Sequence, residues 1–180
     1  MSQSPKLKNF IGGVFREPAT RRYLDNINPH TAAVVNQVPS SGEEDARLAI
    51  AAASEAFPAW SKVSVQERAA FLRRIADEIE KNSEEFALAE SRDTGKPLAL
   101  ATNVDIDRGI HNFRFFADVL LAKEEKCFEQ EVPQRASHHI SRRPVGVASL
   151  ISPWNLPLYL LSWKVNERRH RIEISSPRYK

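Results

Sequence analysis

The chain opens with short segments of alternating apolar and polar residues, a pattern that predicts β-strands rather than helices. Turn-forming residues, Gly12-Gly13, Pro18 and Asn28-Pro29, lie between these segments. The sequence therefore predicts an N-terminal β meander between residues 9 and 38. Its strands are expected at Asn9–Phe15, Tyr23–Ile27 and Ala33–Val38.

Helical periodicity then replaces this alternation, and the first two helices have clear start signals. Ser41 with Glu44, and Ser64 with Glu67, both fit the capping box, in which a hydroxyl and a carboxylate bond free backbone N–H groups. Apolar stripes at helical spacing predict the buried faces. These are Ala46, Ile50, Ala53 and Phe57 in the first helix, and Leu72, Ile75, Ala76 and Ile79 in the second.

Two more helices are predicted before residue 122. The third starts after Ser83 and ends at Gly95, because glycine accepts the left-handed cap conformation and Pro97 follows it. The fourth runs from about Leu98 to Leu121, and its aromatic-rich stripe is typical of core packing with no cofactor implied. The stripe is Ile106, Ile110, Phe113, Ala117 and Leu120, and the polar face is Asp105, Asp107, Arg108, Arg114 and Asp118.

The pattern changes again towards the C-terminal end. Residues 135–143 alternate and are polar on one side, as in a half-exposed or partner-facing strand, whereas Val145–Ile151 is almost continuously apolar. The latter fits a strand buried on both faces of a parallel sheet, and Leu156–Val165 fits the helix after it. Strand, loop and helix in this order form the first half of a βαβ unit and indicate an α/β fold.

Length, composition and charge limit the number of domains and the kinds of partner that we expect. The chain has 180 residues, of which 42% are hydrophobic, enough for one ordinary domain or for most of one domain and the start of another. Residues 166–180 carry four Arg and one Lys against two Glu, which accounts for the net charge of +3. The remainder interleaves opposite charges along its helices, so a nucleic-acid partner is not expected.

Membrane insertion and secretion are not expected either. Residues 145–163 lack charge over a length that would span a bilayer, but Pro153, Asn155 and Pro157 would break the helix and place an amide in lipid. The single cysteine excludes an intramolecular disulfide and suits a reducing compartment. The N-terminus shows neither a secretory nor a mitochondrial signal. The expected location is the cytoplasm.

Asn155 is the strongest candidate for chemistry. It follows the buried strand at its carboxyl end, where open α/β sheets bind their ligands. Its side-chain N–H is a suitable donor to an oxygen that becomes negative in a transition state. Asparagine is also a common helix N-cap. The spacing alone is equally consistent with both roles.

The motif around Asn155 is specific enough to indicate a family. It reads Ile151-Ser-Pro-Trp-Asn-Leu-Pro157 and is followed by Trp163-Lys164. It resembles the strand, turn and helix of the NAD(P)-dependent aldehyde dehydrogenase superfamily, and the resemblance extends over residues 9–165. Asn112–Phe116 and Leu156–Tyr159 are most similar to the branch that oxidises 2-aminomuconate and 2-hydroxymuconate semialdehydes. Further matching stretches are Asn9–Gly13, Ile27–His30, Ala56–Trp60, Arg68–Leu72, Asp93–Pro97 and Arg143–Val147.

This resemblance implies the N-terminal part of the aldehyde dehydrogenase fold, an α/β fold with N-terminal β strands and helices and an incomplete Rossmann-like cofactor domain. The implied divisions are a flexible N-terminus (1–8), strands and helices of the cofactor-binding domain (9–134), an oligomerisation-type strand (135–143), the first strand, turn and helix of the Rossmann-like domain (144–165) and a basic tail unlike the family (166–180).

The resemblance also implies roles for individual residues. Asn155 matches the oxyanion-hole amide, which holds the aldehyde oxygen while a cysteine thiolate adds to the carbonyl carbon. Lys164 matches a supporting lysine, and Leu156 and Trp163 match walls of the substrate tunnel. The implied cofactor is NAD, with NADP as an alternative. The residues that match the turn lining the dinucleotide cleft are Ile151, Ser152, Pro153 and Trp154.

No residue of this chain corresponds to the family's nucleophilic Cys or general-base Glu. Cys127 lies in an acidic-flanked segment, expected to be a loop, that does not favour a thiolate. His138 and His139 are neighbours on a strand and therefore point to opposite faces, and no Cys, Asp or Glu cluster completes a ligand set with them or with His170. No metal site is expected.

Two functions remain in view. The first is oxidation of a small aldehyde to its carboxylate by an enzyme of which residues 1–180 form an N-terminal portion that is inactive alone. The second is a non-catalytic truncated isoform that joins full-length subunits through residues 135–143, a polar strand without sheet partners of its own. Both hypotheses include assembly into an oligomer, as in the family.

Overall fold

The computed structural model consists of short hairpins, helices and one parallel strand pair. It describes residues 4–122, 127–130, 136–139, 144, 146–167 and 171–175. The strands in these ranges are β1 (Asn9–Ile11), β2 (Val14–Arg16), β3 (Tyr23–Ile27), β4 (Val34–Pro39), β5 (Cys127–Gln130), β6 (Ala136–His139), β7 (Gly146–Leu150) and β8 (Arg171–Ser175). The helices are α1 (Glu43–Trp60), α2 (Val65–Lys81), α3 (Ser83–Thr94), α4 (Leu98–Leu100), a π-helix (Ala101–Ile106), α5 (Asp107–Leu121) and α6 (Pro157–Glu167).

The N-terminal strands form two antiparallel hairpins, β1 with β2 and β3 with β4. Each hairpin is a separate two-stranded sheet, so the predicted single meander is wrong. Gly12 and Gly13 both have positive φ, at 61° and 80°, and form the tight turn that divides the first predicted strand into two. Residues 5–7 form backbone hydrogen bonds of 2.8 and 2.9 Å with Gln37, where the sequence predicts a flexible segment.

Helix α1 starts one residue later than its predicted capping box. Gly42 occupies the N-cap, and its N–H donates to the Asp45 carboxylate at 3.0 Å. Ser41 instead exchanges hydrogen bonds with the side chain of Asn9, at 2.8 and 3.0 Å. The predicted pairing of Ser41 with Glu44 is therefore wrong, because Asp45 provides the capping carboxylate.

The apolar faces of the first two helices follow the predicted stripes only in part. In α1, Ala53 is buried and Phe57 is half-buried, but Ala46 and Ile50 are exposed because the inward face of this helix is turned towards Asp45. In α2, the predicted stripe is correct for three positions and wrong for one. Leu72, Ala76 and Ile79 face the core, and Ile75 is exposed.

The remaining predicted caps are confirmed. Ser64 Oγ accepts a hydrogen bond from the N–H of Glu67 at 3.2 Å, and the Glu67 carboxylate accepts from the N–H of Ser64 at 3.0 Å. Gly95 ends α3 in the left-handed conformation with a φ of 76°. These signals were readable because capping geometry depends on residues that are close in sequence.

The main core forms where α5 packs against α2. The fourth predicted helix is continuous but contains a π-helical segment, and its predicted apolar stripe is buried as expected. Each large side chain of such a stripe contributes roughly 1.5–3 kcal/mol on full burial. Asp105 is the exception on the predicted polar face, because it is only 1% exposed. The buried stripe is Ile106, Ile110, Phe113, Ala117 and Leu120.

Strand β7, helix α6 and strand β8 form a βαβ unit in which β7 and β8 are parallel, with Gly146 opposite Arg171. The partner strand lies in the tail 166–180, which the sequence reads as unlike the family. Helix α1 packs against both strands. Ala148 and Leu150 are buried while Ser149 between them is exposed, so β7 has one buried face rather than the predicted two.

Strands β5 and β6 form an antiparallel hairpin. Residues 136–139 of the predicted polar strand 135–143 therefore have a sheet partner within the chain, and Cys127 begins β5 instead of lying in a loop. Across the described residues, the helices are too short or too polar to cross a membrane.

Candidate active site

The sequence-predicted site residues lie together on the loop between β7 and α6 and on the first turns of α6. The loop follows the carboxyl end of β7, where parallel sheets bind ligands. Ile151 and Trp154 are 64% and 68% exposed, and Asn155 is also exposed.

Side chains of α6, of the segment that follows α3 and of the loop itself hold the backbone of this loop. Lys164 of α6 donates to the carbonyl oxygen of Ile151. Ser152 Oγ donates to the Pro157 carbonyl at 3.0 Å, and Lys96 Nζ donates to the Asn155 carbonyl at 3.0 Å. The backbone is therefore anchored at its start, middle and end, while the Trp154 and Asn155 side chains remain exposed.

Asn155 is not the N-cap of α6. The N–H of Leu160 donates to the carbonyl of Leu156 at 2.9 Å, which is the first intrahelical bond and places the cap at Leu156. Within the described residues, the Asn155 side chain makes no hydrogen bond to the helix. The N-cap position that the sequence left open for Asn155 is thus occupied by its neighbour, and the Asn155 amide stays exposed.

Helix α6 packs against α5 through three contacts that follow one another along the two helices. A Cβ on Gly109 would lie only 3.2 Å from Leu158 Cγ, so the absence of a side chain permits the close approach of the helices. Asn112 Nδ2 donates to Ser162 Oγ at 2.9 Å in the buried interface.

The third contact joins two aromatic rings. The rings of Phe116 and Trp163 meet edge to face with centroids 5.5 Å apart. Trp163 and Lys164, both predicted site residues, are positioned by this packing. Trp163 is half-buried against Phe116 rather than free in a cleft.

A buried charge cluster behind the loop was missed by sequence reasoning. The Lys96 side chain is 12% exposed, and it pairs with Asp105, at 1%, and with Glu90, at 6% and a distance of 3.5 Å. The sequence predicts Asp105 on the polar face of the fourth helix. A buried lysine of this kind is stable only when carboxylates compensate for its loss of hydration.

One signal in the sequence could have found this cluster. Asp105, Gly109, Asn112 and Phe116 recur at spacings of four, three and four, directly beside the apolar stripe. All four are buried. A polar stripe parallel to a core stripe indicates a second packed face, and here that face meets α6 and Lys96.

The arrangement suits donation of a hydrogen bond to a negatively charged oxygen. The exposed Asn155 amide offers an N–H donor on a fixed backbone, and both lysines near it are already engaged with carbonyl oxygens. Among the side chains that the structure describes, no three His, Cys, Asp or Glu residues form a metal-binding group. His138, His139 and His170 lie outside those described side chains.

Comparison with known proteins places this geometry in context. The profile of the aldehyde dehydrogenase family matches residues 15–167. The 2-aminomuconic semialdehyde dehydrogenases of Bos taurus and Homo sapiens are each 49% identical over 159 residues, covering 88% of this chain and 32% of the relative. The 2-hydroxymuconic semialdehyde dehydrogenase of Pseudomonas sp. (strain CF600) is 43% identical, with 89% and 34% covered. The chain thus spans about a third of the length of these relatives.

Solved structures agree with the sequence comparison. The indole-3-acetaldehyde dehydrogenase AldA of P. syringae, a C302A mutant in complex with NAD+ and IAA, superposes with a TM-score of 0.84 at 29% identity, covering 92% of this chain and 34% of that protein. A betaine aldehyde dehydrogenase double mutant from Staphylococcus aureus, in complex with NAD+, superposes with a TM-score of 0.83 at 32% identity, with 93% and 34% covered. The fold of the chain is therefore the N-terminal part of the aldehyde dehydrogenase fold.

Proposed function

The chain belongs to the aldehyde dehydrogenase family, and from this premise we propose that it contributes the oxyanion-binding and cofactor-lining segment of an NAD(P)-dependent aldehyde dehydrogenase. The observation that carries the proposal is the exposed Asn155 amide at the carboxyl end of β7, on a loop whose backbone is held at Ile151 and Asn155 by two lysines. An amide that caps no helix and points to solvent from an anchored backbone suits a preorganised donor.

The proposed chemistry follows from what Asn155 can donate. When a thiolate adds to the aldehyde carbon, the carbonyl oxygen gains negative charge, and the Asn155 N–H stabilises that charge more than it stabilises the neutral carbonyl. Ile151, Ser152, Pro153 and Trp154 would line the dinucleotide at this edge of the sheet. NAD, when bound, supplies the hydride acceptor, and NADP is the alternative.

The parallel β7–α6–β8 unit fits a dinucleotide cofactor. Dinucleotides bind outside the carboxyl ends of parallel strands, and the loop after β7 is at that edge. Its side chains at positions 151 and 154 are exposed rather than packed into the core. Loop surface is therefore available at the place where a cofactor would lie.

A muconic semialdehyde is the substrate class that we infer. Support comes from the relatives, since two of the three named above are 2-aminomuconic and one is a 2-hydroxymuconic semialdehyde dehydrogenase. The segments that carried this resemblance in the sequence are Asn112–Phe116, in α5, and Leu156–Tyr159, at the start of α6, and the two helices pack together. Leu156 and Trp163 would form part of the wall of the substrate pocket.

Residues 1–180 alone are proposed to be inactive. The part of the chain that resembles the family contains no counterpart of the nucleophilic Cys or the general-base Glu. Cys127 begins β5, outside the loop that carries Asn155. Without a nucleophile, no charge develops on the aldehyde oxygen for Asn155 to stabilise.

The test compares purified 1–180 with the longest translation product that contains residues 1–165, identified by sequencing transcripts beyond the codon for Val165. With NAD and 2-hydroxymuconate semialdehyde, the longer protein is expected to form NADH and 1–180 is expected to form none. NADH formation by 1–180 above the buffer rate would contradict the inactivity. A longer protein that contains a family-like Cys and Glu but forms no NADH would contradict the proposed reaction.

A second candidate function is favoured by the β5–β6 hairpin. It is a two-stranded sheet within the described residues, so each strand has one neighbour and one further edge. We propose that residues 135–143 use this edge to join a second copy or a full-length subunit, which would give a homo-oligomer or a mixed assembly. The cytoplasm remains the location that we propose for the protein. Co-purification of untagged 1–180 with a tagged longer product would support this association, and complete separation at micromolar concentration would exclude it.

A further inference from the structure

We propose that Lys96, held by Asp105 and Glu90, is a positioning residue for Asn155. The effect of Lys96 on catalysis rests on the proposed function. Its effect on the position of Asn155 does not, because that position can be measured without a reaction. Lys96 follows the left-handed Gly95 at the end of α3, and Asp105 lies in the π-helix before α5. The cluster therefore joins two segments of the helical core to the loop after β7.

The donor count of Lys96 supports this role. A lysine ammonium has three N–H donors and no acceptor. In this structure Lys96 Nζ donates to the Asp105 carboxylate and to the Asn155 carbonyl at 3.0 Å, and it forms an ion pair with the Glu90 carboxylate at 3.5 Å. The hydrogen bond to Asp105 and the charge of Glu90 hold the ammonium in place, while a second N–H is directed at the loop.

The burial of the cluster makes this geometry rigid. Asp105 and Glu90 are nearly fully buried, and a buried carboxylate separated from its cation is strongly destabilised. Lys96 is therefore not free to leave them in order to follow a moving loop. The loop must instead adapt to Lys96, so the carbonyl of Asn155 is fixed relative to the core.

Fixing this carbonyl restrains the position of the Asn155 Cα. The side chain projects from that Cα, so a displacement of this peptide unit also displaces the amide. Lys164 restrains only the other end of the segment, at Ile151. Misplacement of a catalytic group by about 1 Å can cost about 100-fold in rate, so an anchor next to Asn155 has a functional consequence.

The test measures backbone order in residues 1–180 by 15N relaxation. Lys96→Met removes all three donors and keeps the length of the side chain, and the order parameters of Trp154, Asn155 and Leu156 are expected to fall from about 0.85 to below about 0.6. Arg114→Met is the matched control, because Arg114 also lies between two carboxylates, Asp77 and Glu80. It is expected to lower the stability of the α2–α5 contact without changing the loop.

Lys96→Arg keeps the charge that compensates Asp105 and Glu90 in case the Met variant does not fold. Its guanidinium is planar and larger than the ammonium, so we do not expect it to place a donor at the same point beside the Asn155 carbonyl, and loop order is again expected to fall. Unchanged order at Asn155 in either folded variant would overturn the proposal and leave Lys96 a structural residue. This experiment measures loop order and not NADH formation. Its result therefore holds even if Asn155 has no role in the reaction.

Discussion

Asn112 of α5 donates a hydrogen bond of 2.9 Å to Ser162 of α6, and both side chains are buried. The Ser162 hydroxyl in turn donates a hydrogen bond of 2.6 Å to the Tyr159 carbonyl. This polar contact lies between the close approach at Gly109 and the ring contact at Phe116. It fixes the rotation of the helix that carries Trp163 and Lys164.

Asn112→Ala is expected to lower the free energy of unfolding by about 1–3 kcal/mol, because it removes a buried donor and leaves a small cavity. Urea denaturation measures the change. The matched control is Asn9→Ala, which removes an amide paired with Ser41 at a half-buried position, and it should cost less than about 1 kcal/mol. An equal loss of unfolding free energy in the two variants would show that the hydrogen bond between α5 and α6 stabilises the fold no more than the half-buried one does.

Gly95→Ala is expected to destabilise the chain by more than Gly13→Ala. Both glycines have positive φ, 76° and 80°, so alanine at either position incurs a backbone cost of roughly 1–2 kcal/mol. A Cβ at position 95 would also lie 3.1 Å from Pro29 Cβ, whereas position 13 is open. The difference between the losses of unfolding free energy in the two variants measures the cost of the contact with Pro29. Equal losses would show that Pro29 moves away without cost.

The Glu67 cap predicts a pH dependence of stability. The Ser64 hydroxyl and N–H donate to the Glu67 carboxylate, and these hydrogen bonds hold the pKa of that carboxyl below its usual value. A carboxyl with a lower pKa in the folded state stabilises the fold above its unfolded pKa, about 4.3. That stabilisation is lost as the pH falls through the folded pKa.

Glu67→Gln should therefore lower stability at neutral pH and make little difference in strong acid. Urea midpoints measured from pH 7 downwards would show the wild-type and variant curves converging below the usual glutamate pKa. Glu44→Gln is the control, since it removes an exposed carboxylate from a helix that is capped by Asp45 instead. Parallel curves for wild type and Glu67→Gln over the whole range would contradict the role of this cap.

The features that were readable from sequence depend on residues close together in the chain. The Ser64–Glu67 box, the Gly95 cap and the stripe from Ile106 to Leu120 are set by spacing along one helix. The position of Asn155 was readable for the same reason, because a strand, a turn and a helix follow one another within residues 144–165.

The features that were missed depend on contacts between distant segments. Asp105 is buried because Lys96 and α6 approach it, and no local pattern requires that approach. The inward face of α1 is set by the strands that it meets, which left Ile50 exposed. Strand β8 forms because it pairs with β7, which lies on the other side of α6 in the sequence. The basic charge of residues 166–180 led instead to the prediction of a tail.

The most direct test of the central claim is the rate of NADH formation by the longest translation product that contains residues 1–165, with Asn155→Ala compared with wild type. Asn103→Ala, at an exposed position of the π-helix, is the control. If Asn155 is the oxyanion donor, Asn155→Ala lowers kcat by about 100–1,000-fold and Asn103→Ala leaves it unchanged. An Asn155→Ala protein with the wild-type kcat would contradict the account.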